Sequence, residues 1–184
     1  MNINEAGFLM DVLSAAYPQY YAKQSDQTRL AAVALYAELF ADDDPREVAA
    51  AVKSLIASRT STFPPVIGEI KAKLGEIRQP DRMQTQEAWA LASKAAAGNL
   101  PWEKLPPLVQ KAIGSKTILR DWGLVDSERF NTVIYSQFVK AYGTYDTREK
   151  ERAALPSDIR SLIDDVAERM AMGGNPAQTK QLEA

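Results

Sequence analysis

Gly114-Ser115-Lys116-Thr117 carries the residue types of a phosphate-cradling loop. That loop needs a glycine immediately before its lysine and another glycine five residues earlier, in a turn that follows a strand. Ser115 takes the first of these places, no glycine takes the second, and Pro106 to Ile113 reads as helix, so the stretch is a helix junction. Asp42-Asp43-Asp44 offers the oxygens that hard divalent cations favour but lacks the glycine and closing glutamate of a calcium loop. Helix capping is its expected role. Asp164 and Asp165 are neighbours on a helix and point about 100° apart, too far to share one site. Asp121 and Glu128 have no partners that would set one as acid and the other as base. Phe138, Tyr142 and Tyr145 stand beside Lys140, Arg148, Lys150 and Arg152, a combination that stacks bases and holds phosphates in single-strand binders. Helical spacing assigns the aromatics to a core, which leaves the four basic residues as the nucleic-acid candidates.

The complete absence of cysteine excludes disulfides, thiolate zinc sites and thiol nucleophiles. The absence of histidine removes the commonest general base and metal ligand. No enzyme, metal or cofactor is predicted. With 184 residues, 46% hydrophobic and 25% charged, the composition is that of a globular protein with one substantial core or two small ones. A net charge of −2 argues against wholesale coating of nucleic acid. Only residues 81 to 154 are basic, with 11 basic against 9 acidic side chains. Met1 to Gly7 shows no secretory pattern, and no apolar run approaches the roughly 20 residues of a membrane span, so a cytoplasmic protein is expected.

The elements that position these residues read as helices throughout, and nothing alternates with period two long enough to make a strand. Phe8, Leu9, Val12, Leu13 and Ala16 form the core face of a first helix ending near Tyr17-Pro18. A second, over about 25–41, carries Leu30, Val33, Ala37 and Phe40 and is expected to be buried on more than one side. Asp44-Pro45-Arg46-Glu47 has the pattern of a capping box and opens a third helix with Val48, Val52, Leu55 and Ile56 inward. Phe63-Pro64-Pro65-Val66-Ile67 must end that helix, and Pro65 suits the first position of the next. Phe63 and Ile67 are expected to pack, while Glu69 and Lys71 are candidate partner contacts. The linker composition of Gly75 to Pro80 marks a domain boundary.

Beyond it, a helix with Ala88, Leu91, Ala92 and Ala95 ends at Gly98-Asn99, and short helices broken by Pro101 and Pro106-Pro107 follow. Gly114 suits a left-handed stop, with Ser115 capping the helix after it. Asp126 caps a long helix bearing Phe130, Val133, Ile134, Phe138, Ala141, Tyr142 and Tyr145. Trp89, Trp102 and Trp122 are read as core or interface anchors. The last helix, entered at Pro156, carries Ile159, Leu162, Ile163, Val166 and Met170 at helical spacing, with acids and arginines opposite. The predicted fold is all-α, with a helical domain at 1–77, a second at 83–172, joined near residues 75–82, and a flexible tail at 173–184.

Residues 6 to 77 resemble the phage helicase loader/inhibitor family. The resemblance rests on the order of its pieces: the Leu9 to Ala16 helix with Tyr17-Pro18, a helix with Tyr36, Leu39 and Phe40, the acidic turn Asp42-Asp43-Asp44, and the helix leading to Thr62-Phe63-Pro64-Pro65-Val66-Ile67-Gly68-Glu69-Ile70. The family often has a tryptophan near Tyr36, and this chain has none. Residues 84 to 160 are similar to a region of uncharacterised phage replication-module proteins, through Glu87-Ala88-Trp89, Leu105-Pro106-Pro107-Leu108-Val109-Gln110, Gly114-Ser115, Ser136-Gln137-Phe138 and Ala154-Leu155-Pro156. The resemblance implies a non-catalytic adaptor with two partners, a replicative helicase and an origin-binding replication protein. In smaller relatives a flexible C-terminal segment engages the helicase, whereas this chain places a second helical domain there. Two other readings stand beside it: a DNA-binding replisome organiser using the basic residues, and an inhibitor of another host protein.

Overall fold

The computed structural model describes residues 1–171, and the tail expected at 173–184 lies outside them. The fold is all-helical, with no strand among the described residues. In chain order the helices are α1 (Ile3–Ala16), α2 (Pro18–Tyr21), α3 (Asp26–Leu39), α4 (Pro45–Ser58), α5 (Ile67–Arg78), α6 (Thr85–Ala96), α7 (Pro107–Ile113), α8 (Lys116–Trp122), α9 (Ser127–Arg129), α10 (Tyr135–Ala154) and α11 (Ser157–Ala171). A 3₁₀ turn occupies Trp102–Lys104 and a π-helical turn Phe130–Ile134. Among the described residues, no helix is long and apolar enough to cross a membrane. The described residues divide into two compact units, one comprising Met1–Arg78 and residues 152–171, the other Gln79–Glu151. The first unit thus takes in α11, which the sequence reading grouped with residues 83–172.

In the first unit, Ala6, Leu9, Met10 and Leu13 form the i, i+3, i+4, i+7 stripe that α1 buries. They meet Tyr36 and Phe40 from the end of α3, Val48, Ala51 and Val52 from α4, and Ile70 and Leu74 from α5. Asn2 and Glu5 close a capping box on α1, its Asn2 Oδ1 accepting from the Glu5 amide at 3.0 Å and its Glu5 carboxylate from the Asn2 amide at 2.7 Å. The Met1 ammonium donates to the carbonyls of Phe40 (2.8 Å), Ala41 (2.7 Å) and Asp43 (3.1 Å), satisfying acceptors that the end of α3 leaves open.

Phe8 and Leu30 are exposed at 73% and 70%, because the buried arc of α1 is centred on Leu9 and Leu13 and α3 buries only an edge near its C-terminus. Phe63 is likewise exposed, its ring edge-on to Tyr20 with centroids 6.3 Å apart. Pro65 precedes α5 instead of opening it. Val66 is the cap that precedes the helix, with its carbonyl accepting from Glu69 and Ile70 and its amide donating to the Glu69 carboxylate at 2.9 Å. Asp44 caps α4 through the Arg46 amide at 2.7 Å, but Glu47 turns to Arg78 and leaves the capping box unclosed.

In the second unit, Ala88, Ala92 and Ala95 give α6 a smooth face against Leu105, Val109, Ile113, Leu119, Phe138 and Tyr142. Asp126 caps α9 through the Arg129 amide, and Ser115 caps α8 through that of Ile118. Gly114 ends α7 at φ 99°, a conformation that favours glycine. The π-helical turn was not foreseen. Residues five apart diverge by about 140° on an α-helix, but the wider turn brings Phe130 and Tyr135 onto the same side, where both reach Trp89, with ring centroids at 5.0 and 5.3 Å. Val133, expected inward, is consequently exposed.

Gly123 supplies a stability test of this unit. A Cβ there would sit 2.7 Å from the carbonyl oxygen of Ala96, a backbone atom that cannot swing aside. Gly123→Ala is expected to destabilise by about 1–3 kcal/mol, whereas Gly143→Ala, whose Cβ meets nothing within 4 Å inside α10, stabilises slightly. Denaturant unfolding of the two variants checks the contrast.

Candidate functional site

The three consecutive aspartates have three separate tasks. Asp43 is buried and accepts from Lys71 Nζ at 2.6 Å and Arg78 Nη1 at 2.8 Å, tying the turn after α3 to α5. Arg78 also bonds Glu47 through Nε at 2.7 Å, and Lys71 Nζ lies 4.6 Å from the centroid of the Phe40 ring. Asp44 caps α4. Asp42 reaches the other end of the sequence, its Oδ2 accepting from the Ser157 amide at 2.6 Å and so capping α11. Among the described residues no group of three or more carboxylates gathers where a metal ion could sit.

The Ser157 amide, then its hydroxyl, holds the Asp42 carboxyl below the usual carboxylate range. A carboxylate whose folded pKa is depressed contributes stability above its unfolded value, near 3.9, and loses it as pH falls through the folded value. The first turn of α11 is therefore expected to loosen only in acid, and Asp42→Ala to loosen it at neutral pH. Faster amide exchange at Ser157 and Asp158, with an unchanged unfolding midpoint, is the expected reading.

Of the candidate contacts on α5, Glu69 accepts from Val66 and pairs with Arg59, and these partners keep its carboxyl below the ordinary range, Val66 contributing most. Lys71 is the partner of Asp43, with only 10% of its side chain exposed. Both side chains are committed to contacts within their unit. The four basic candidates are not gathered as a free cationic stripe. Lys150 pairs with Asp146 at 2.8 Å, and Arg152 makes a bidentate pair with Asp164 at 2.8 and 2.7 Å. Asp146 also takes Arg82, at 2.7 Å. Burial opposes its charge, and the bonds from Lys150 and Arg82 prevail, so its pKa is lowered. Lys140 and Arg148 remain outside these pairs, with no ion-pair partner among the described residues. Phe138 and Tyr142 are buried in the core of their unit, as their spacing implied.

The surface features that periodicity did not reveal are apolar. Leu162, Ile163, Val166 and Met170 of α11 are all exposed, and no residue of that helix is buried. Phe8 and Leu30 are exposed, and Leu30 lines a groove of about 290 Å³ together with Gly7, Asp11, Asp26, Arg29 and Val33. Tyr20, Phe63 and Val66 expose a third apolar group. A stripe at helical spacing looks the same in sequence whether it faces a core or a partner. The signal that could have separated them for α11 is the polar company of the stripe, with six charged residues in fifteen.

Residues 1–71 match the family model of the N-terminal domain of a phage helicase loader/inhibitor. The match covers α1 to α4 and the start of α5, including the acidic turn and the double proline. No curated protein and no solved structure matches the chain.

Proposed function

We propose that this chain is a non-catalytic phage replication adaptor that binds a replicative helicase and helps load or inhibit it at an origin. The observation that carries the reading is the match of residues 1–71 to the loader/inhibitor N-terminal domain, which associates the chain with phage helicases. The side-chain chemistry agrees with an adaptor: without cysteine or histidine, the polar residues of the first unit cap helices and pair charges. Such a protein acts by mass action and geometry, with exposed apolar side chains as anchors and the polar groups around them setting specificity. An origin-binding protein as second partner belongs to the same proposal. Pairing of Lys150 and Arg152 with acids gives the DNA-binding reading no comparable support.

Co-purification with the phage's replicative helicase tests the proposal. The affinity tag belongs at the C-terminus, because the Met1 ammonium is bonded to three carbonyls of the chain. Retention of the helicase after nuclease treatment is the expected result; failure to retain it at micromolar concentrations of both proteins sinks the reading.

A further inference from the structure

The first unit holds α11 far more lightly than it holds its other helices. α1 buries Ala6, Leu9, Met10 and Leu13 and α4 buries Val48, Ala51 and Val52, whereas none of the 15 residues of α11 is buried. What fastens it sits at its start. Pro156 is buried, Leu155, Ile159 and Arg160 are half-buried, and the Ser157 amide donates to the Asp42 carboxylate at 2.6 Å. Arg160 comes at a cost, because its Nε is buried without a hydrogen-bond partner. Farther along, the hydrogen bonds and ion pairs among the described residues give the helix one more tie, the bidentate pair of Asp164 with Arg152. Those side chains are 41% and 61% exposed, so the pair adds little.

A helix of this length standing alone is marginal in water. Once its first turn lets go, nothing else in the unit keeps α11 helical, and the whole of it should open together. Segments with few buried contacts open in this way well below the free energy of global unfolding. The course of the chain gives the opening a consequence. It leaves the first unit after Arg78 and rejoins it at Arg152, so α11 is what secures the returning end. We propose that α11 is a detachable clasp, fastened at Asp42: closed, it fixes both ends of the second unit's chain to the first unit, and open, it leaves only the crossing after Arg78. The device is conformational and stands independently of the helicase reading.

Native-state hydrogen exchange of the full-length chain, followed residue by residue, tests it. Amides from Ser161 to Arg169 are expected to share one opening and to exchange about a hundredfold or more faster than those of Leu13 and Val52. Asp42→Ala should speed all of them together by about tenfold, while Leu13 and Val52 keep their rates. Asp164→Asn should speed them by about threefold or less. Protection that instead declines steadily toward Ala171, with Asp42→Ala felt only in the first turn, is fraying and overturns the inference. So does an α11 whose amides open only when the whole unit unfolds, or one that responds more to Asp164→Asn than to Asp42→Ala.

Discussion

Replacing Asp43 by alanine is expected to cost the first unit about 3 kcal/mol, far more than the same change at either neighbouring aspartate. The reason is what remains behind. Lys71, with 10% of its side chain exposed, would keep a charge in a site from which its carboxylate has gone. Arg78 is more exposed, at 38%, and retains Glu47, which holds the loss near the lower end of what breaking a buried pair costs. Asp44→Ala removes only a helix cap, worth about 1 kcal/mol, and Asp42→Ala affects the tether of α11. Urea unfolding of the three single variants measures the order directly. The double variant Asp43→Ala, Lys71→Met should recover much of the loss, because no unpaired charge is left buried. An Asp43→Ala protein no less stable than Asp44→Ala would show that the Asp43 pairs contribute nothing to the turn.

Trp89→Ala should cost the second unit about 3–5 kcal/mol, the range for removing a large aromatic from a packed site. Its ring lies within 6.2 Å, centroid to centroid, of Trp122, Phe130, Tyr135 and Phe138. Two of those contacts come from opposite ends of the π-helical turn, so the substitution should also relax that turn towards ordinary helix. Thermal unfolding followed by circular dichroism gives the stability loss, and amide exchange over Phe130–Ile134 reports the turn. Trp89→Phe, which keeps part of the ring contact, should lose distinctly less. Undiminished protection of the turn in Trp89→Ala would separate the π-helical geometry from the aromatic cluster.

Helix positions were legible because their signals are local. Asp126, Ser115 and Asp44 cap the helices their spacing announced, and Gly98 and Gly114 adopt the positive φ expected of helix stops. The facing of each helix was less legible. Phe8 and Leu30 have the same period as Leu9 and Phe40, and only the packing of α1 on α3 decides which pair is buried. The π-helical turn depends on a ring contributed by α6, more than forty residues upstream, so no local pattern announces it. For candidate contacts the difficulty was of the same kind. Lys71 looks like a surface lysine until the turn after α3 brings Asp43 to it, and Arg152 until α11 brings Asp164. The triplet at 42–44 reads as one acidic cluster in sequence because nothing local says that its three side chains leave in different directions.

Association with the helicase is the claim on which the functional account rests, and titration of the full-length chain into the purified hexameric helicase, free of DNA, measures it most directly. The account predicts saturable binding whose stoichiometry is fixed and whose strength falls only modestly as salt is raised, since apolar anchors carry it. Absence of binding at low salt, or binding that appears only when DNA is added and collapses with salt, would contradict it.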